Sequence, residues 1–218
     1  PFLDLRVLKT KEYALSVFGS ILLYLVLMGS SMLMPLYVQS ILGKSATISG
    51  LVVLPGSLVS AFLSPIAGRI YDKVGIRILT IIGGSSLVLS NIGMFFIHIH
   101  TGIWMAVCLN ILRCAATGCL LMPFVTWGNK NIPPELTAHG TALLTSLRTV
   151  AGAIGTAVFV GIMNTVARNS HTLTGSAALL HGMNVSFLVM TVASGLLLFT
   201  GLFLIKDSRT EVLIEVEN

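Results

Sequence analysis

Charge is what this sequence has least of. Of its 218 residues, 13 are Lys or Arg and 8 are Asp or Glu, 10% of the chain against 55% hydrophobic, with mean hydropathy +0.93. A soluble domain carries roughly 25% charged residues, so a mostly water-facing surface is excluded. Acidic groups are scarcer still, and none falls inside an apolar run: Asp4, Glu12, Asp72, Glu135, Asp207, Glu211, Glu215 and Glu217 all sit in connections or tails. Cysteine is limited to Cys108, Cys114 and Cys119 within one apolar stretch, which fits neither a disulfide framework nor zinc spacing. No signal peptide precedes the first apolar run, and the chain opens on Pro1 without an initiator Met, as expected for part of a longer polypeptide. The net charge of +5 is no sign of nucleic acid, because in membrane proteins basic charge reports orientation.

What is present is long hydrophobic runs. A bilayer core needs ~20 mostly apolar residues per helix, and six stretches qualify: about residues 13–35, 47–70, 78–97, 102–127, 140–163 and 183–205. The sequence therefore predicts an all-α polytopic membrane protein, a six-helix transmembrane bundle over 13–205. A juxtamembrane segment, 1–12, precedes it, and a charged tail, 206–218, follows. Pro55 and Pro65 predict kinks in the second span, Pro133-Pro134 a break before the fifth, and Thr137 a helix cap. If the first residues are cytoplasmic, that side carries nine cations (Arg6, Lys9, Lys11, Arg69, Lys73, Arg77, Lys130, Lys206, Arg209) and the other only two, Lys44 and Arg168. The bias predicts that both ends are cytoplasmic. Spans one to three and four to six then form two triplets of opposite topology, an arrangement that recurs in secondary transporters.

The most informative connection is Gly68-Arg69-Ile70-Tyr71-Asp72-Lys73-Val74-Gly75-Ile76-Arg77, read as a charged turn between spans two and three. Gly68 would allow close backbone approach and Gly75 would supply a positive φ. Asp72 would sit at the N-terminus of span three, where negative charge is favoured. On physics alone, a basic cytoplasmic turn of no special role fits about as well. Gly-x-x-x-Asp-Lys-x-Gly-x-Arg, however, resembles the cytoplasmic signature between helices two and three of a half-bundle in the major facilitator superfamily. Ile76 departs from it, since a basic residue is common there. Residues 33–39 (LMPLYVQ), Gly43, Gly50-Leu51 and Leu54-Pro55-Gly56 are similar to the fourteen-span drug:proton antiporter branch, the EmrB/QacA type, as is the stretch from Arg148 to Ala157. The resemblance covers essentially the whole chain and implies its C-terminal six-helix half. It further implies that Gly68, Asp72, Lys73, Gly75 and Arg77 form a gating loop, with Asp72 as the gate element.

Two cations lie inside spans. Arg113 falls ~16 Å into span four at 1.5 Å per residue, where a charge costs ~2.5–3.5 kcal/mol on insertion scales. Asn110, Arg113 and Thr117 share a helix face, and span one offers Ser20, Tyr24 and Ser31 with Met28 and Met32 alongside. In the resembled fold these two helices line the central cavity, so Tyr24, Met28, Ser31, Asn110, Arg113 and Thr117 are the expected substrate-cavity residues. Small polar side chains that merely stitch helices together are the plainer reading. Arg148 lies nearer the cytoplasmic end, where it can snorkel. With Gly152 and Gly155 it marks a smooth helix-contact face, either a sliding surface or static packing.

The resemblance implies export of amphiphilic or cationic small molecules across the bacterial cytoplasmic membrane, driven by a proton gradient, with no cofactor or metal. The partners expected are the lipid bilayer and the missing N-terminal half, which would hold the coupling carboxylate; no nucleic acid is expected. A partner-binding membrane subunit without transport activity is the alternative. An intramembrane enzyme is disfavoured, because His98, His100, His139, His171 and His181 all fall at or beyond span ends.

Overall fold

The computed structural model describes residues 5–205, so the 206–218 tail and the first four residues lie outside the description. A 3₁₀ turn, Leu5–Lys9, leads into α1 (Lys11–Leu36), which continues as a π-helical turn, Tyr37–Ile41. Then come α2 (Ala46–Val74), α3 (Ile76–Phe95), α4 (Ile103–Lys130), a 3₁₀ turn (Pro134–Leu136) and α5 (Thr137–Arg168). The last is α6 (Gly175–Phe199), ending in a second π-helical turn, Thr200–Leu204. Six helices are thus long and apolar enough to cross a membrane.

The helices overrun the apolar runs that announce them. α2 passes through both Pro55 and Pro65 and reaches Val74, while α3 begins at Ile76. The ten-residue turn expected at 68–77 is therefore a single residue, Gly75, at φ 84° and ψ −178°. That conformation is strained for any side chain and open to glycine. Asp72 consequently lies in the last turn of α2 and not at the start of α3. The stretch 164–182, rich in Asn, Ser and His and expected from its polarity to be a loop, is helical at both ends, leaving only residues 169–174 between α5 and α6. Leu136, not Thr137, stands at the α5 N-cap, and no side chain caps that end.

Packing follows the two-triplet arrangement. The most extensive seams join α1 to α5 and α4 to α2, so the first helix of each triplet lies along the second helix of the other. The third helices, α3 and α6, pack on each other. Lipid tails are as apolar as leucine, so helix association rests on close packing and interhelical hydrogen bonds. Both are present. Gly155 faces the Leu25 backbone of α1, and Gly118 of α4 faces the Ser60 backbone of α2, each too close to admit a Cβ without displacement. Across α3 and α6, Asn91 Nδ2 donates to Ser194 Oγ at 2.7 Å. Tyr13 Oη donates to the Gly140 carbonyl at 2.6 Å, and Ser16 Oγ to that of Phe124, tying α1 to α5 and α4 at one end. The core between the seams is filled by Leu23, Leu33, Leu87, Leu120, Phe124 and Phe187.

One surface stays bare. Leu51, Leu54, Leu58, Phe62 and Ile66 form an exposed stripe on α2, with Val150, Ile154 and Val158 on α5. Only 17% of the most apolar window of α2 is buried, against 56% for α1. By itself the bundle leaves these second helices to lipid or to another bundle.

Candidate functional site

The signature residues gather at the end of the bundle where α1 begins and α6 finishes. Arg77, in the first turn of α3, sends Nη2 to the Leu202 carbonyl at 3.1 Å. Leu202 lies in the closing π-helical turn of α6, where carbonyls lack intrahelical donors and the helix dipole is negative. Arg77 thus caps α6 from α3. Gly75 N–H donates to the Tyr71 carbonyl at 2.9 Å, closing the α2 end. Asp72 and Lys73 are both exposed. In the last turn of α2, Asp72 faces the unfavourable end of its own helix dipole; a cationic or N-terminal partner on another element suits it better. Gly68 has open space around it, so the close approach expected there is not made within this bundle.

The residues expected to line a cavity divide between two places. Asn110, Arg113 and Thr117 are 2%, 4% and 2% exposed, inside the bundle and not on an open wall. Arg113 Nη2 donates to Asn110 Oδ1, and Cys114 Sγ lies 3.8 Å from the same nitrogen. Arg113 Nε and Nη1 and Asn110 Nδ2 are shielded and have no acceptor. Opposite them is Gly56 of α2, where a Cβ would come within 2.7 Å of Asn110 Nδ2 and 2.8 Å of Cys114 Sγ. Thr117 Oγ1 turns back to the Cys114 carbonyl at 3.1 Å. The α2–α4 seam is therefore closed over a guanidinium that has one hydrogen-bonded nitrogen.

Tyr24 and Met28 instead lie against α5, both about 3 Å from where a Gly152 Cβ would stand. Arg148, expected to snorkel, lies over the Tyr24 ring with its guanidinium carbon 5.4 Å from the centroid. Its Nε and Nη1 are shielded and without acceptors. This pairing was not legible in the sequence, since 124 positions separate the two residues (148 − 24). Ser31 is exposed and bonds only to its own helix, at the Leu27 carbonyl, 2.6 Å away.

At the opposite end, His98, His100, His181 and Asn184 border a shallow pocket of about 330 Å³ whose lining includes neither arginine. No group of three potential metal ligands is present among the described residues. The three cysteines are free thiols; Cys114 is buried, Cys119 half-buried and Cys108 exposed.

Known proteins are similar to this chain in sequence. The profile of the Major Facilitator Superfamily matches residues 1–156. The MFS-type transporter YcnB of Bacillus subtilis is 36% identical over 192 residues, 88% of this chain and 41% of its own length. The lincomycin resistance protein LmrB of the same organism is 34% identical, covering 75% of this chain and 34% of its own length. The multidrug export protein EmrB of Escherichia coli K12 is 28% identical, covering 72% and 31%. The chain therefore spans less than half the length of these relatives. With six apolar helices in two interleaved triplets and a family profile over most of its length, this chain belongs to the Major Facilitator Superfamily, a family of membrane transporters and not of enzymes.

Proposed function

We propose that this chain is the C-terminal six-helix half of a secondary multidrug exporter that exchanges drug for protons by alternating access. The observation that carries the reading is the α2–α3 boundary: an exposed Asp72 one turn from a single-glycine hinge, with Arg77 fastening α3 to the end of α6. A rigid-body rocking step needs such a boundary, where a charge can make or break a contact with the other half as it swings. Relatives named for lincomycin resistance and multidrug export support the drug class. The exposed α2 and α5 stripes suit the contact surface for the remaining half, given that the chain matches only 31–41% of these relatives.

No Asp or Glu lies within the bilayer-depth part of any span among the described residues. In this reading the coupling carboxylate belongs to the remainder of the protein, the proton gradient is the energy source, and the site of action is the bacterial cytoplasmic membrane. Asp72→Asn in the full-length exporter keeps the shape and removes the charge. Efflux is expected to fall by about tenfold or more, one charge-assisted contact being about 1.5–3 kcal/mol, with membrane insertion unchanged. Unaltered drug resistance in cells expressing this variant would remove Asp72 from the gate.

Orientation is open to a separate measurement. With both ends cytoplasmic, a cysteine placed by Lys73→Cys in a cysteine-free background reacts with an impermeant maleimide in inside-out vesicles and stays unlabelled in intact cells. Labelling only from outside the cell would invert the topology.

A further inference from the structure

The α1–α5 seam bears on substrate charge. Arg148 is the twelfth residue of α5, ~17 Å along the helix from its start. A snorkelling side chain at that depth would run along the helix towards the headgroups. Its guanidinium instead lies across the seam on the Tyr24 ring. Two of its three nitrogens, Nε and Nη1, are shielded and have no acceptor. The residue as a whole is only half-buried, so the side chain is not sealed inside the seam. The described carboxylates, Glu12, Asp72 and Glu135, lie at the end of the bundle where α1 begins, in first or last helical turns, and none is at the depth of Arg148 to serve as counter-charge. The rest of the surroundings are apolar or neutral: Met28 beside the ring, and the exposed hydroxyl residues Thr145 and Thr149 one turn before and one residue after Arg148.

We propose that Arg148, positioned by Tyr24, is a specificity-determining side chain that recognises an anionic group on the substrate. The substrate class is an amphiphile with one carboxylate or sulfonate on an aromatic or acyl body. A cation already occupies the face of Tyr24, so a cationic drug finds that aromatic face taken and a like charge in its place. An acid finds a half-buried guanidinium with no carboxylate beside it among the described residues, in a low-dielectric seam where a charge-assisted hydrogen bond is strong. Met28 offers an adaptable surface for the apolar body. This assignment rests on the transport reading and, of the amphiphilic or cationic molecules that the family resemblance implies, favours amphiphiles of the opposite charge.

The test uses the full-length exporter in detergent, at equilibrium and without a gradient, and two xanthene dyes of opposite charge, anionic fluorescein and cationic rhodamine 123. Fluorescence anisotropy is expected to show the wild type preferring fluorescein. Arg148→Gln should weaken fluorescein by about tenfold or more, the size of one lost charged hydrogen bond, and leave rhodamine 123 within about twofold; Arg148→Lys should fall between. Equal losses for both dyes, no change for either, or a wild-type preference for rhodamine 123 overturns the proposal. So does a carboxylate elsewhere in the exporter whose neutralisation matches the stability loss of Arg148→Gln without adding to it, because the anion would then be the protein's own. If Arg148→Gln is lost from the membrane, Tyr24→Leu, which removes the positioning ring, must weaken fluorescein more than rhodamine 123 for the proposal to stand. Gradient-driven dye accumulation in inside-out vesicles is scored separately. Charge-selective binding without accumulation sinks the transport reading alone, and accumulation without charge selectivity sinks this one alone.

Discussion

Gly182→Ala is expected to destabilise the bundle by about 1–3 kcal/mol, and Gly182→Val by more, because the added carbon meets backbone. A Cβ at this position of α6 would stand 2.1 Å from the Met163 carbonyl oxygen and 2.8 Å from its carbon, both on α5. A flexible side chain in the way can swing aside; a carbonyl inside a helix cannot without moving the helix. The α5–α6 seam must therefore open along its length, separating contacts such as Ser186 Oγ to the Phe159 carbonyl at 2.7 Å. Gly161 and Gly195 provide the contrast, since neither has anything within 4 Å of a built Cβ. Alanine at these two should be neutral or stabilising by about 0.5–1 kcal/mol through helix propensity. Thermal unfolding of the four purified variants in detergent gives the ranking. Gly182→Ala as stable as Gly161→Ala would mean that α5 and α6 do not meet as described.

That contrast shows what the sequence could and could not disclose. Six spans, their approximate places and the positive φ of Gly75 followed from apolar run length and from glycine's steric freedom. Helix ends did not. Charged and polar residues at 68–77 and 164–182 read as loops, yet a transmembrane helix can extend past the hydrocarbon into the headgroup region, where polar side chains cost nothing. Asp72 was accordingly assigned to the wrong helix terminus. Glycines show the same limit, because close approach depends on what lies opposite. Gly68 looks like a packing residue and has open space, whereas Gly182, counted within a polar loop, has α5 backbone against it. Arg148 had a visible charge and an invisible partner, since nothing local in sequence points from α5 to Tyr24. Arg113 was marked by its cost, but periodicity puts Asn110, Arg113 and Thr117 on one face without saying whether that face meets an aqueous cavity or α2. The structure buries all three.

The burial of Arg113 leads to an expected result of unusual sign. Arg113→Met should leave the bundle at least as stable as the wild type while reducing drug export by the full-length protein by about tenfold or more. In the closed α2–α4 seam the guanidinium has a hydrogen bond from Nη2 to Asn110 and a sulfur contact, while Nε and Nη1 have no acceptor. Coulombic relief is missing too, since the described spans carry no carboxylate at this depth. A charge held in the middle of a membrane helix costs ~2.5–3.5 kcal/mol on insertion scales, and one hydrogen bond to an amide, about 1.5–3 kcal/mol, at best roughly offsets it. Methionine occupies a similar volume, bends to fit and carries no such cost, so packing against Gly56 and Cys114 is retained. We expect Arg113 to act in another conformation, in which an α2 displacement opens the seam and exposes its bare Nε and Nη1. Stability and export are thus expected to move in opposite directions, which a structural role cannot produce. If Arg113→Met lowers the unfolding midpoint and leaves resistance intact, Arg113 is a packing residue; if it raises the midpoint and abolishes export, the closed seam is one state of a moving site.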